Sequence, residues 1–182
     1  MIKKILSAIL IIAISAAITP HILAPASAIG DTFTTVAVGS AHTLAIKADG
    51  SLWAWGANGE CGALGDGTAI TREAPVRIMD GVADVSAAYF RSMAVKTDGS
   101  LWVWGQNYLG LLGDGTFRDK MSPVKIMDDV ASVVTVSLYT MAIKTDKSLW
   151  AWGANGFGEL GNGTFAHSAV PVKLWMTSPM YI

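Results

Sequence analysis

The sequence predicts an all-β chain of about three similar units, each of four short antiparallel strands, and three observations carry that expectation. The first is a word written three times: SLWAWG at Ser51–Gly56, SLWVWG at Ser100–Gly105 and SLWAWG at Ser148–Gly153. Its copies lie about fifty residues apart, a period that marks blade-like repeats. The second is punctuation. Each copy follows a short apolar run and a turn, then leads through a glycine-rich loop into a proline-led run: APVRIM, SPVKIM or VPVKLW. The third is a further apolar segment in each unit, VAVGSAHTL, VADVSAAYFRSM or VASVVTVSLYTM, which brings the strand count to four. Four strands per unit of this length, repeated radially, describe a β-propeller. A β-solenoid is the alternative, although its repeats are usually shorter.

The first element in chain order stands outside this pattern. Lys3 and Lys4 make a basic start, Ile5–Ile18 is apolar, and Ala26–Ala28 offers small residues for cleavage. Together they predict a secretory signal peptide over residues 1–28, cut after Ala28, and so a secreted or cell-envelope protein. An uncleaved membrane anchor is the alternative, but the apolar run is short for a bilayer span. The repeats are then expected over residues 29–182, in units near 34–74, 75–122 and 123–174, with a tail at 175–182.

The formal charge of the 182-residue chain is −1, and loss of Lys3 and Lys4 makes it more acidic. That lacks the basic footprint phosphate backbones require, so nucleic acid is not an expected partner. Cys61 is the one cysteine and cannot form an internal disulfide. It reads as an inert small residue at a one-residue insertion in its repeat, with a reactive thiol or an intermolecular bridge as the alternatives.

Within each unit, Asp49-Gly50 and Asp98-Gly99 suit a two-residue type I′ hairpin, whose central positions need positive φ. The third copy has Asp146-Lys147, so Lys147 must accept strain or the turn must change type. Such a hairpin sets Ile46 opposite Trp53 and Leu44 opposite Trp55. The same holds for Val95 with Trp102, Met93 with Trp104, Ile143 with Trp150 and Met141 with Trp152. The other face then carries Ala45 with Ala54, Ala94 with Val103 and Ala142 with Ala151. Neither face is polar, so both must be covered. The expected solution packs the tryptophan face of one unit on the small-residue face of the next, head to tail. The tryptophans are thus read as packing between blades, not as a ligand cage.

VAVGSAHTLAI (Val36–Ile46) followed by DGSLWAWGANGECGALGDGT resembles the regulator-of-chromosome-condensation repeat. Gly39, His42 and Ala45 match its first part; Trp55, Gly56, Asn58, Gly62, Leu64, Gly65 and Gly67 match its second. The second copy keeps Trp104, Gly105, Asn107, Gly110, Leu112, Gly113 and Gly115, but has Ala88 and Arg91 where glycine and histidine are expected. The third keeps Trp152, Gly153, Asn155, Gly158, Leu160, Gly161 and Gly163, with Val136 and Tyr139 at those places. The resemblance runs from Thr34 to Leu174 and implies propeller blades, usually seven to a ring. The functions it implies diverge: nucleotide exchange on a small nuclear GTPase with chromatin binding, ubiquitin-ligase modules, ultraviolet sensing, and β-lactamase inhibition by a secreted bacterial protein. The export signal favours the last setting.

A propeller needs about four blades or more. The strands here are expected as three, four, four and one, so the ring is incomplete or open. Either the chain is part of a longer propeller or copies associate through open blade faces.

Little catalytic chemistry is legible. Asp66, Asp114 and Asn162 repeat in GDGT, GDGT and GNGT; one carboxylate per loop falls short of a calcium site and reads as an Asx-type turn. Asn162-Gly163-Thr164 is a formal glycosylation acceptor. GECGALGDG lacks the spacing and following helix of a phosphate loop. His42 stands where the resembled family keeps a structural histidine, and the resemblance implies a bond to backbone in its own blade, with a ligand or catalytic role as the alternative; His167 reads as an isolated loop residue. No catalytic group, metal or cofactor is expected. The leading expectation is a non-enzymatic exported propeller that binds a protein or cell-surface macromolecule through loops Ala69–Ala74, Phe117–Ser122 and Phe165–Ala169, where the units differ most. Its rivals are an inhibitor of a secreted or periplasmic enzyme, an enzyme of unknown reaction, and an exchange factor, which the export signal disfavours.

Overall fold

The computed structural model describes residues 32–175, so the expected signal peptide and residues 176–182 lie outside the described residues. The first blade holds β1 (Phe33–Val38), β2 (His42–Lys47), β3 (Leu52–Gly56) and β4 (Arg72–Met79). The second holds β5 (Val82–Ala88), β6 (Arg91–Lys96), β7 (Leu101–Gly105) and β8 (Lys120–Met127). The third holds β9 (Val130–Val136), β10 (Tyr139–Lys144), β11 (Leu149–Gly153) and β12 (Ser168–Leu174). Each set forms one four-stranded sheet in sequence order, with antiparallel neighbours. The all-β expectation holds.

The division into blades differs from the expected three, four, four and one. Each proline-led strand pairs with the tryptophan strand before it: β4 with β3, β8 with β7, β12 with β11. All three blades are therefore whole, and the proline-led strands are outermost. Pro75, Pro123 and Pro171 sit well there, because an edge strand has no outer ladder to lose.

The hairpins also differ from expectation, and one cause explains the whole change. The Lys47 amide donates to the Ser51 carbonyl at 2.9 Å and the Gly50 amide to the Lys47 carbonyl at 2.9 Å. Three residues, Ala48-Asp49-Gly50, thus form the loop, a turn closed by a left-handed residue, rather than two. Gly50 and Gly99 take φ of 79° and 80°, and Lys147 takes the same role at φ 68°. The extra loop residue slips the register by one: Ala45 faces Trp53, Leu44 faces Ala54 and Ile46 faces Leu52. The second and third blades repeat this, with Ala94 opposite Trp102 and Ala142 opposite Trp150.

One face of each blade therefore carries the tryptophans together with the alanines, and the other carries the aliphatics. At the first junction, Leu44, Ile46, Leu52, Ala54 and Leu64 of one blade meet Val82, Val85, Ala94 and Trp104 of the next. At the second, Met93, Val95, Leu101, Val103 and Leu112 meet Val130, Val133, Ala142 and Trp152. The tryptophan face does pack on the neighbouring blade, but against large aliphatic side chains rather than small ones.

The two tryptophans of each word do different work. Trp104 and Trp152 are fully buried wedges. Their indole N–H groups donate into the preceding blade, to the Ala63 carbonyl at 2.9 Å and the Leu111 carbonyl at 3.2 Å. Burying ~150–250 Å² of each ring is worth at most ~4–6 kcal/mol by area. Trp53, Trp102 and Trp150 stay half-buried. Each donates at 2.9 Å to a serine hydroxyl, Ser51, Ser100 or Ser148, which in turn bonds the turn aspartate Asp49, Asp98 or Asp146. Lys47 lies over the Trp53 ring at 4.3 Å, adding a cation–π contact.

Candidate functional site

Strand order fixes where the long loops go. In an antiparallel blade, the connection after the third strand shares one end of the sheet with the turn between the first two. Residues 57–71, 106–119 and 154–167 therefore gather at one end of the blades with turns 39–41, 89–90 and 137–138. Backbone bonds between blades tie this end together: the Ser40 amide reaches the Tyr89 carbonyl at 3.0 Å, Gly67 reaches Met121 at 2.9 Å and Gly115 reaches Ala169 at 2.8 Å.

Each loop is built around a buried asparagine, Asn58, Asn107 or Asn155. The Asn107 side-chain carbonyl accepts the Leu112 amide at 2.9 Å, and its NH₂ donates to Asp114 at 3.0 Å, the Thr116 carbonyl at 3.0 Å and the Arg118 carbonyl at 3.1 Å. Asn58 and Asn155 repeat the arrangement with Asp66 and Asn162. This hub closes a loop of over a dozen residues without regular structure. In the sequence this asparagine stands out only through the family resemblance, and its regular place three residues after the second tryptophan is the local signal for it.

Asp66 and Asp114 accept from Thr68 and Thr116, amide and hydroxyl both, as does Asn162 from Thr164. Each carboxylate also holds one cation, Asp66 with Arg72 at 2.7 Å and Asp114 with Lys120 at 3.0 Å. Partial burial pushes both pKa values up. The hydrogen bonds from threonine and the cation outweigh it and hold both below the ordinary carboxylate value. These oxygens are spent inside the loop. Among the described residues no three His, Cys, Asp or Glu side chains gather as metal ligands would.

His42 bonds across the blade junction rather than within its own blade. Its Nε2 lies 2.9 Å from the Ser92 hydroxyl, which donates to the Ala63 carbonyl at 2.7 Å. The buried Nδ1 has no hydrogen-bond partner. Burial lowers its pKa to about 4, despite the carbonyls of Arg91 and Tyr89 nearby. Arg91 stands in the corresponding place of the second blade, fully buried, with one bond from Nη2 to the Thr135 hydroxyl at 2.7 Å. Burial lowers its pKa to about 10. Cys61 is also buried, which raises the thiol pKa and leaves little thiolate. Gly39 lies against the His42 ring, while Gly56, Gly105 and Gly153 end β3, β7 and β11. His167 is not isolated: its Nδ1 accepts the Asn155 amide at 2.8 Å.

The predicted contact loops are partly strand, since Arg72–Ala74, Lys120–Ser122 and Ser168–Ala169 belong to β4, β8 and β12. Their remaining tips are open to solvent, and each of the last two begins with a phenylalanine. Phe117 is 65% exposed and Phe165 74%, at equivalent positions of successive blades, and Phe157 is 93% exposed. Ile70, Tyr89 and Tyr108 are also exposed at this end.

Comparison with known proteins fits this architecture. Residues 33–63 and 82–111 match one family model described as regulator of chromosome condensation (RCC1) repeat, and residues 98–141 and 146–180 match a second of the same description. No curated protein was found to match the chain by sequence. Among solved structures, human WBSCR16 is 22% identical with a TM-score of 0.71, over 80% of this chain and 40% of its own. Prp20p from Saccharomyces cerevisiae, described with its binding properties to Gsp1p and histones, is 23% identical with a TM-score of 0.69, over 80% of this chain and 39% of its own. Yeast RCC1 (Prp20) bound to Kap60 gives the same TM-score over 37% of that chain. This chain thus spans about two-fifths of the structures it resembles.

Proposed function

The chain belongs to the regulator of chromosome condensation (RCC1) repeat family, and from that premise we propose that it is an exported, non-enzymatic binding protein that grips another protein with the loop end of its blades. The observation that carries this is the set of exposed aromatic residues Phe117, Phe157, Phe165 and Tyr108 on loops whose bases are locked by buried asparagines, with Tyr89 exposed on the adjoining turn 89–90. Aromatic side chains on a rigid frame lose little conformational entropy on binding and are typical anchors of protein interfaces. Varied tips on a constant frame are also how repeat folds change partners. The absent basic balance favours protein over nucleic acid as the partner.

Replacing Phe117 and Phe165 with a photo-crosslinking residue, one at a time, identifies what sits against the loop end in the living cell. Binding of that partner to purified protein is then expected to weaken at least tenfold in the Phe117→Ser/Phe165→Ser double variant, with unchanged circular dichroism. Unchanged affinity would remove the loop end from consideration. Export is checked separately: the extracytoplasmic fraction should contain a chain whose N-terminal residue is Ile29.

A further inference from the structure

We propose that the two outer faces of the blade stack are complementary halves of one interface, and that a second copy of this chain occupies them head to tail. This concerns the open blade faces and is independent of the loop-end reading above.

The chain already makes such an interface twice, at its two internal blade junctions. At each internal junction a tryptophan of the later blade enters a socket over a glycine of the earlier one. A Cβ on Gly65 would stand 2.6 Å from Nε1 of Trp104, and one on Gly113 would stand 2.6 Å from Nε1 of Trp152. The third blade carries the same socket at Gly161, where the nearest atom to such a Cβ is Leu174 Cδ1 at 4.0 Å. Gly161 itself lines a groove of about 600 Å³ with Asn162, Val172, Lys173 and Trp175, and the same blade carries an apolar groove of about 340 Å³ lined by Val133, Val134, Met141, Ile143 and Leu149. Met141, Ile143 and Leu149 hold the places that Leu44, Ile46 and Leu52 hold at the first junction.

The first blade carries the matching half. Trp55 holds the place of Trp104 and Trp152, half-buried beside Phe33 with ring centroids 6.2 Å apart. Val36 holds the place of Val85 and is 64% exposed, whereas Val85 is buried. So a wedge without a socket and a socket without a wedge stand at opposite ends of one chain, each in the register that packs fully at two other places.

A second copy fits because a contact of this kind is heterologous: it uses one half from each partner and leaves the other half free. Two copies joined at both ends would form a ring of about six blades, within the four to eight that propellers use, and leave no blade face open.

The test is complementation with the full 182-residue chain. By light scattering coupled to gel filtration, the unsubstituted protein should be a dimer. Trp55→Ala removes the wedge. Gly161→Asn fills the socket with a residue that tolerates positive φ. Each variant alone should be monomeric with unchanged circular dichroism, its dimer affinity weakened at least tenfold. Mixed in equal amounts, they should form a heterodimer, because one chain retains the wedge and the other the socket. Ile143→Glu, at a residue already exposed, repeats the Gly161→Asn result without touching a turn. A monomeric unsubstituted chain would overturn the proposal, whether its faces stay bare or are covered by another segment of the same chain. So would a dimer indifferent to all three substitutions, or variants that fail to complement.

Discussion

At the scale of the residue, the repeated positions act as internal controls on one another. Gly50, Gly99 and Lys147 hold equivalent left-handed turn positions, at φ 79°, 80° and 68°. Lysine has a Cβ that crowds the following carbonyl there, at roughly 1–2 kcal/mol, while glycine escapes the clash. Lys147→Gly should therefore stabilise the protein by about 1 kcal/mol in urea unfolding, with no change in the flanking Lys144–Ser148 bond at 3.0 Å. The buried asparagines predict the opposite sign. Asn107→Ala would strip partners from the Leu112 amide and from the carbonyls of Thr116 and Arg118. Leaving such groups unpaired costs roughly 1–3 kcal/mol each where water cannot reach them. A loss of about 3 kcal/mol or more is expected, measured by the same unfolding.

At the scale of the element, the repeat, the four-strand count and the role of tryptophan as packing were legible, because they follow from spacing and composition. The register was not. Ordinarily a one-residue slip moves a hydrophobic set to the wrong face and betrays itself. Here both faces are apolar, so Ile46 or Ala45 opposite Trp53 look equally acceptable, and only the three-residue loop decides between them. The ownership of the proline-led strands was hidden for a similar reason, since a loop of over a dozen residues says nothing of which sheet it returns to. In the site, the Asx-type turns were legible because they are local. The His42–Ser92 contact spans fifty residues of sequence and left no local trace. The blade junction itself can be tested by comparing wedges. Trp104→Ala should cost about 3–5 kcal/mol, as large core truncations do. Trp55→Ala, at a half-buried ring on the open first blade, should cost well under half of that when the monomer is measured.

At the scale of the whole molecule, stability is shared between blades and the two junctions that couple them, as in other stacked repeats. Acid should attack those junctions unequally. His42 at the first titrates near 4 when folded, against 6.5 for a free imidazole, because burial disfavours its charged form. Between those values the unfolded chain takes up a proton that the folded chain refuses, so stability falls as pH drops below 6.5. By pH 4 the loss is on the order of 3 kcal/mol. Arg91, which occupies the corresponding place in the second blade, titrates near 10 and keeps its charge throughout this range. The second junction therefore adds no loss there. Asp49, Asp98 and Asp146 are held below the ordinary carboxylate value by the hydroxyls and amides of Ser51, Ser100 and Ser148. Their contribution is present above that ordinary value and disappears only as pH falls through the lowered one. Urea midpoints taken from pH 7 down to pH 3 should show a decline beginning below 6.5, with a further decline below 4. His42→Gln should abolish the upper part and spare the lower. If the upper decline survives His42→Gln, its source is not this imidazole, and the first junction is not the acid-sensitive one.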